Sequence, residues 1–226
     1  MSEEFFKYPS TPHLALLGDL DVRGDKVMAP AEREEFLRHE LVVEEKVDGA
    51  NLGISFDADG NLLAQNRGAY LQLPGSGQWK KLADWLAPRT DALFEQLADR
   101  YLLFGEWCYA RHSVSYDRLP DWFLGFDIYD RQVGRFLSSG RRNDLFHAMQ
   151  IIQIPFIAQG CFTLQDLTRL LGQSNLSAQP AEGCYLRHEQ GDWLIQRAKL
   201  VKPAFIQAIE EHWSRSGIIP NHLISM

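Results

Sequence analysis

The chain has 226 residues, a formal net charge of −7 and ordinary apolar (45%) and charged (23%) fractions, which fits one soluble domain with a substantial core or one domain plus a small appendage. Its longest apolar run, residues 151–158, is cut by Gln153 and Pro155, and no basic N-terminal stretch precedes an apolar one, so neither a membrane span nor a secretory leader is expected and a cytoplasmic protein is the default. Cys108, Cys161 and Cys184 form no Cys-x-x-Cys pair, which argues against a disulfide framework and a structural zinc site.

Charge divides unevenly along the chain. Residues 1–60 carry 6 basic and 14 acidic side chains and the remainder 17 and 16, so the acidity is local. A groove for nucleic acid would have to be assembled in space from scattered arginines such as Arg111, Arg118, Arg141, Arg142 and Arg187. A strongly basic, non-specific binder is excluded.

Residues 5–14 hold two prolines and read as an extended lead-in, followed by a loop rich in Gly and Asp. A short helix over 31–39 precedes a β-branched strand, 41–47, with Val43, Glu45 and Val47 on one face and Val42, Glu44 and Lys46 on the other. Asp48-Gly49 turns the chain into a second strand, 50–56, which reads as a hairpin with the first. Asp57-Ala-Asp-Gly60 signals another hairpin, returning as strand 61–65 and ending in Asn66-Arg67-Gly68. Trp79, Leu82, Trp85 and Leu86 recur at helical spacing within 78–87, which assigns the tryptophans to the core. Pro88 stops that helix, and Thr90 is placed to cap the next, which carries Leu93, Phe94 and Leu97.

Strands over 101–107 and 122–129 follow, each interrupted by an acid, Glu106 and Asp127. A carboxylate in an apolar strand costs free energy unless paired or used, so each is a site candidate with an ion pair as the alternative. Helices are expected over 143–150 and 163–171, the second with Thr163 and Asp166 placed as a capping box and Gly172 as its stop. After a polar loop, 172–181, the strands 183–188 and 193–201 form a hairpin with Glu182 at its entrance and Arg197, Lys199 and Val201 on one face. Pro203 opens a closing helix through about Trp213.

Lys46 beside a Gly turn reads either as a solvated lysine or as a nucleophile in a partly desolvated pocket. Lys-x-Asp-Gly alone arises by chance in roughly one chain in 25 of this length. The ordered series decides: Lys46-Val-Asp-Gly49, Phe104-Gly-Glu106, Phe123-Leu-Gly-Phe126-Asp-Ile-Tyr129, Glu182-Gly-Cys-Tyr-Leu-Arg187 and Leu194-Ile-Gln-Arg-Ala-Lys199 resembles the five motifs of the covalent nucleotidyltransferases, the polynucleotide ligases and mRNA capping enzymes. Glu45 with Asn51, and Asn66-Arg67-Gly68, resemble ATP-dependent RNA ligases of the phage RNA ligase 2 kind. The opening 7–14 and the stretch from His212-Trp213 to Pro220-Asn221 resemble a bacterial branch of that family.

The resemblance implies an α+β nucleotidyltransferase domain of mostly antiparallel sheets around a nucleotide cleft, spanning 1–226. It implies ATP-dependent joining of RNA 3′-hydroxyl and 5′-phosphate ends, with AMP carried covalently on Lys46 and Mg²⁺ or Mn²⁺ required. Lys46 attacks the α-phosphorus, with Lys199, Arg197 and the metal disfavouring its ammonium form and stabilising phosphate charge. Glu182 holds the metal. Glu106 takes the ribose hydroxyls, Arg67 the sugar-phosphate side, Phe126 stacks on adenine, and Glu45 reads its edge. Asn51 and Lys202 complete the ATP-binding set, and Asp127, Arg187 and His13 are further candidates.

Two departures stand out. Arg197 occupies the place of a common lysine, keeping the charge while unable to deprotonate. Only 24 residues follow Lys202, just beyond the fifth motif, too few for an OB-fold or a helical C-terminal domain, so strand sealing calls for a partner protein of RNA repair if such a domain is needed. The alternatives are a DNA nick ligase, a GTP-using capping enzyme, or a nucleotide- or RNA-end-binding module working with a partner.

Overall fold

The structure is a computed structural model and describes residues 5–18, 26–208 and 218–224. Two strands, β1 (Leu41–Lys46) and β2 (Ala50–Phe56), form where the β-branched pattern puts them, but they do not pair with each other. A four-stranded sheet has the order β10 (Trp193–Val201), β9 (Gly183–Gln190), β1, β8 (Phe156–Gly160). The other runs β3 (Leu62–Gln65), β2, β4 (Tyr101–Trp107), β5 (Phe123–Asp130), β6 (Arg135–Phe136), with β7 (Ile152–Gln153) beside β5. All pairings are antiparallel except β5 with β7.

The hairpin reading of Asp48-Gly49 is therefore corrected: the turn carries the chain from one sheet to the other. Every residue of β1 except Lys46 is buried, because β1 is an inner strand covered on both faces. The hairpin at 57–60 does form, with Phe56 opposite Leu62 and Gly60 at φ +79°, where glycine is favoured.

Each sheet is covered on one face by helices. Leu52, Ile54, Phe56, Leu103 and Trp107 pack under α2 (Leu82–Leu86), α3 (Thr90–Leu97) and α4 (Ser139–Ala148). Leu41, Val43, Leu186, Ala198 and Leu200 pack with Phe36 of α1 (Pro30–Phe36) and Leu167 of α5 (Leu164–Leu170). The capping box of α5 forms as expected, Thr163 Oγ1 accepting from Asp166 N at 3.2 Å and Asp166 Oδ2 from Thr163 N at 3.0 Å. Thr90 does not cap α3; a 3₁₀ turn over Ala87–Arg89 continues the chain helically, and the Thr90 hydroxyl donates back to Leu86 O at 3.1 Å. The final helix α6 is described over Pro203–Ala208; its expected course to Trp213, and most of the Gly/Asp-rich loop after the lead-in, lie outside the described residues.

Three strands were not foreseen, the two-residue β6 and β7 and the longer β8. Pro155 breaks the apolar run 151–158, yet β8 begins immediately after it, at the sheet edge where a proline is tolerated. The Pro155 carbonyl accepts from Glu45 N at 2.8 Å, at an irregularity between Val43 and Glu44.

A buried ionic layer joins the sheets. Asp127 is fully buried between Arg187 and Arg197, with the Tyr8 hydroxyl donating to it. Opposite Phe104 and Gly105 the β4–β5 register slips, so that Phe126 has no partner in β4. Its carbonyl instead accepts from Arg142 at 2.6 Å and Arg187 at 3.3 Å, and Arg142 also pairs with buried Glu44. The bulge turns Phe126 out of strict alternation with Asp127. Arg142 and Arg187 are thus core residues, and neither lines a surface groove.

Burial alone would raise the Asp127 carboxyl, but Arg187 and Arg197 outweigh it and hold it below its ordinary value. Asp127→Ala, which leaves two guanidinium groups uncompensated, is expected to cost about 3–5 kcal/mol in urea denaturation at pH 7. Because the folded value is depressed, that stabilisation is present above the usual carboxylate range and is lost below about pH 4. The acid limb of the wild-type stability curve should be correspondingly flatter in the variant.

Candidate active site

Lys46 ends β1 in register with Gly183 of β9. A Cβ at Gly183 would lie 2.2 Å from Leu200 O, so only glycine lets β9 and β10 approach there. That approach sets Glu182 beside the lysine: Lys46 Nζ donates to Glu182 Oε2 at 2.6 Å. On the other wall Asn51 and Glu106 are cross-strand neighbours on β2 and β4. Gly49 N donates to Glu106 Oε1 at 3.1 Å, and a Cβ on Gly49 would meet Trp107 O at 2.7 Å. Asp48 between them is clamped: its Oδ2 accepts from Ser113 N (2.6 Å) and Val114 N (2.9 Å), and its N–H donates to Tyr116 Oη (2.8 Å).

The walls enclose a cavity of about 540 Å³. It brings together Glu45, Lys46, Asn51, Arg67, Glu106, Phe126, Glu182 and Lys199, and His13 from the weaker candidates. Asn66 Oδ1 accepts from Gly68 N and Ala69 N at 2.8 and 2.9 Å, an Asx turn that presents Arg67 at the rim. Asn51 Oδ1 is buried without a hydrogen-bond partner, an acceptor that a donor on a ligand or water would satisfy. The Glu45 carboxylate is engaged by Ser174 Oγ, Asn175 N and Asn175 Nδ2, so it secures the 174–175 loop.

Four candidates do not line the cavity: Asp127 and Arg187, buried in the ionic layer, and Arg197 and Lys202. Arg197 donates to Tyr8 Oη at 2.6 Å and Asp127 Oδ2 at 2.8 Å. Lys202 Nζ donates to Gly172 O at 2.6 Å.

The charge balance at Lys46 differs from the expected ring of cations. Burial lowers the lysine, but Glu182 and Glu106 outweigh it and hold it above its ordinary value. Burial raises Glu106 to about 8, with Asp48 and Glu182 adding to the shift and Lys46 and Arg67 opposing it. Glu182 is raised by burial and Asp48 against Lys46 and Lys199. The ligand-free cleft therefore has a charged lysine among crowded carboxyls.

Tyr8, Thr11 and Tyr185 also line the cavity, and the sequence reading did not single them out. Tyr185 Oη lies 3.0 Å from Tyr8 Oη and 2.9 Å from Thr11 Oγ1. Tyr185 was recoverable from alternation, two residues beyond Gly183 and directly across from Lys199. Tyr8 and Thr11 arrive because the lead-in runs beside β10, Lys199 N donating to Pro12 O at 2.9 Å and Leu14 N to Lys199 O at 2.8 Å. Trp79, assigned to the core by spacing, packs at the core margin and lines the cavity as well.

Fold and site together define an α+β protein with a lysine- and carboxylate-lined cleft between two antiparallel sheets. A sequence profile of the RNA ligase family matches residues 39–201, and the chain belongs to that family. No curated protein matches it. Among solved structures it is similar to Naegleria gruberi RNA ligase with PPi, at TM-score 0.61 and 15% identity over 92% of this chain and 62% of that one. A lysine-to-alanine mutant of that ligase with ATP and Mn gives 0.60 and 19% over 80% and 54%. A lysine-to-methionine mutant with AMP and Mn gives 0.59 and 17% over 79% and 54%. At these identities the likeness is one of fold, and the chain spans between 54 and 62% of those ligase chains.

A carboxyl at about 8 in the folded chain and near 4.3 unfolded takes up a proton on folding, so stability falls as pH rises through that interval. Glu182, raised in the same direction, adds to the fall. Glu106→Gln keeps an acceptor for Gly49 N and removes the titration. Urea denaturation should find it more stable than wild type at pH 8, with a shallower decline between pH 5 and 8.

Proposed function

We propose that the chain joins RNA ends in an ATP-dependent reaction that passes through AMP covalently bound to Lys46. The observation that carries this reading is the Lys46–Glu182 pair at 2.6 Å, set in a cavity whose opposite wall presents Glu106, Asn51 and Arg67. Lys46 Nζ forms the N–P bond to the α-phosphorus of ATP as the bond to the pyrophosphate oxygen breaks. The AMP then passes to an RNA 5′-phosphate, and a 3′-hydroxyl displaces it to close the phosphodiester.

Lys46 attacks only as the neutral amine, so the proton it shares with Glu182 has to pass to solvent water before the N–P bond forms. Glu182 is a carboxylate donor suited to a hard divalent cation that keeps waters and phosphate oxygens. Among the described residues no three His, Cys, Asp or Glu side chains form a complete metal cage, which fits a lone-carboxylate site for Mg²⁺ or Mn²⁺. When bound, such an ion supplies positive charge that competes with Lys46 for Glu182 and offsets phosphate charge.

Lys199, on β10 directly opposite Tyr185 of β9, lines the same cavity and offsets charge on the α-phosphate. Glu106, largely neutral at pH 7, can accept from one ribose hydroxyl and donate to another. Arg67 holds the sugar-phosphate side and Asn51 Oδ1 takes a ligand donor. Phe126 stacks on adenine, its ring direction fixed by the bulge, and Glu45 shapes the base pocket through the 174–175 loop. Stacking tolerates any base. Arg197 acts by tying the lead-in to the sheet, and Lys202 by tying the Gly172 loop to the end of β10.

Intact mass after incubation with ATP and Mg²⁺ or Mn²⁺, on protein freed of prebound AMP, tests the reading. Wild type should gain one AMP and Lys46→Ala none. Glu182→Gln and Lys199→Ala should each slow the gain about 100-fold or more while the fold is kept. No adduct in folded wild type with either metal would overturn the reading and favour an RNA-end-binding module that acts with a partner protein.

A further inference from the structure

Resting on the adenylylation reading above, we propose that Asn221 is a positioning residue for Lys46, acting through the loop 108–119 and Asp48. The segment 218–224 is exposed at Ile219, Leu223 and Ile224, yet Asn221 is 2% exposed. Its planar amide joins two separate parts of the loop. Oδ1 accepts from Tyr116 N at 2.9 Å, while Nδ2 donates to Cys108 O at 2.8 Å and Ala110 O at 3.3 Å.

The backbone on either side follows both arms of the same loop. Asn221 N donates to Tyr109 O (2.9 Å), Arg111 N to Ile219 O (2.8 Å), and His222 N to Tyr116 O (3.0 Å). A single group that is both donor and acceptor is needed at this junction, which an aliphatic side chain cannot supply and a carboxylate supplies only in part.

The braced stretch is the one that holds Asp48. Ser113 N and Val114 N bind its Oδ2, and Tyr116 Oη binds its backbone N–H. Asp48 is two residues from Lys46, and the next residue, Gly49, donates to Glu106. Residues 108–119 belong to no helix or strand, so their geometry depends on such side-chain and tail contacts. With the brace lost, Asp48 gives up its fixed donors and its carboxylate becomes a further partner for the Lys46 ammonium. The step affected is nucleophilic attack, because ATP meets other groups of the cleft. A small misplacement of a nucleophile costs about 10- to 100-fold in rate.

The experiment follows single-turnover formation of the Lys46–AMP adduct by intact mass across a range of ATP concentrations, well below each variant's melting temperature. Asn221→Ala should slow the rate at saturating ATP about 10- to 100-fold and leave the half-saturating ATP concentration within about twofold. Tyr116→Phe, which removes only the hydroxyl bound to Asp48 N, should slow it too, and the double variant should be no slower than the slower single one.

If Asn221→Ala does not fold, Asn221→Asp carries the test, since it keeps the acceptor for Tyr116 N and loses both donors. It must show the same slowing at unchanged ATP dependence. A folded Asn221 variant at the wild-type rate, a loss confined to ATP affinity, or fully multiplicative effects with Tyr116→Phe would overturn the proposal while the adenylylation reading stands. Wild type without any adduct would overturn both.

Discussion

Between Lys46, the last residue of β1, and Ala50, the first of β2, lie only Val47, Asp48 and Gly49, and these carry the chain from one sheet to the other. Four peptide steps reach at most roughly 14 Å, so at this point the sheets cannot part. The glycines follow from the same constraint. Gly49 has no room for a Cβ against Trp107 O, and Gly183 none against Leu200 O. Gly49 lets the connector close on β4 beside Glu106, and Gly183 lets β9 close on β10 beside Glu182. Lys46 is therefore placed by backbone that belongs to both walls, and its distance to either carboxylate is set by strand pairing more than by its own flexible stem.

Buried acids meet opposite fates in the two layers between the sheets. Asp127 has two arginines and a tyrosine hydroxyl around it and is held ionised. Glu106 and Glu182 share Lys46, with Asp48 adding negative charge, and both are pushed toward their neutral forms. The first arrangement is closed: its lone pairs are filled and it faces no cavity. The second opens on a space of about 540 Å³ and crowds its carboxyls around one lysine. Under the adenylylation proposal that crowding has a use, since a cation taken up beside these carboxyls favours their ionised forms and competes with them for the lysine.

Much of this was legible in the chain. β1, β2, the 57–60 hairpin, β4, β5 and the β9–β10 pair are strands of strong β-branched or aromatic character, and Thr163 with Asp166 caps α5 as its spacing states. The ordered motifs brought Lys46, Glu106, Phe126, Glu182 and Lys199 to one cavity. What was not legible was long-range. Nothing local distinguishes a turn that closes a hairpin from one that changes sheets, so Asp48-Gly49 was misread. The bulge at Phe126 is a register slip decided by the facing strand and by the two arginines that take its carbonyl. Tyr8 and Thr11 enter the cleft only because the lead-in lies along β10, and Asn221 meets its loop across more than 100 residues of chain.

The exchange of lysine for arginine at 197 finds its reason in that geometry. Position 197 lies two residues before Lys199 on the same face of β10, directly across from Arg187. Its guanidinium lies over the rings of Tyr8 and Phe136, at 4.6 and 4.3 Å from their centroids, while Nη1 donates to both Tyr8 Oη and Asp127. A lysine ammonium is a compact point charge and could not lie flat between two rings while donating to two acceptors. Arginine at 197 therefore fastens the lead-in to the sheet, and with it the hydroxyls of Tyr8 and Thr11 beside Tyr185. Its charge is matched by Asp127, which leaves Lys199 as the cation of β10 that lines the cavity. Two positions that look alike in sequence are divided by the fold into one that holds the wall in place and one that faces what the wall encloses.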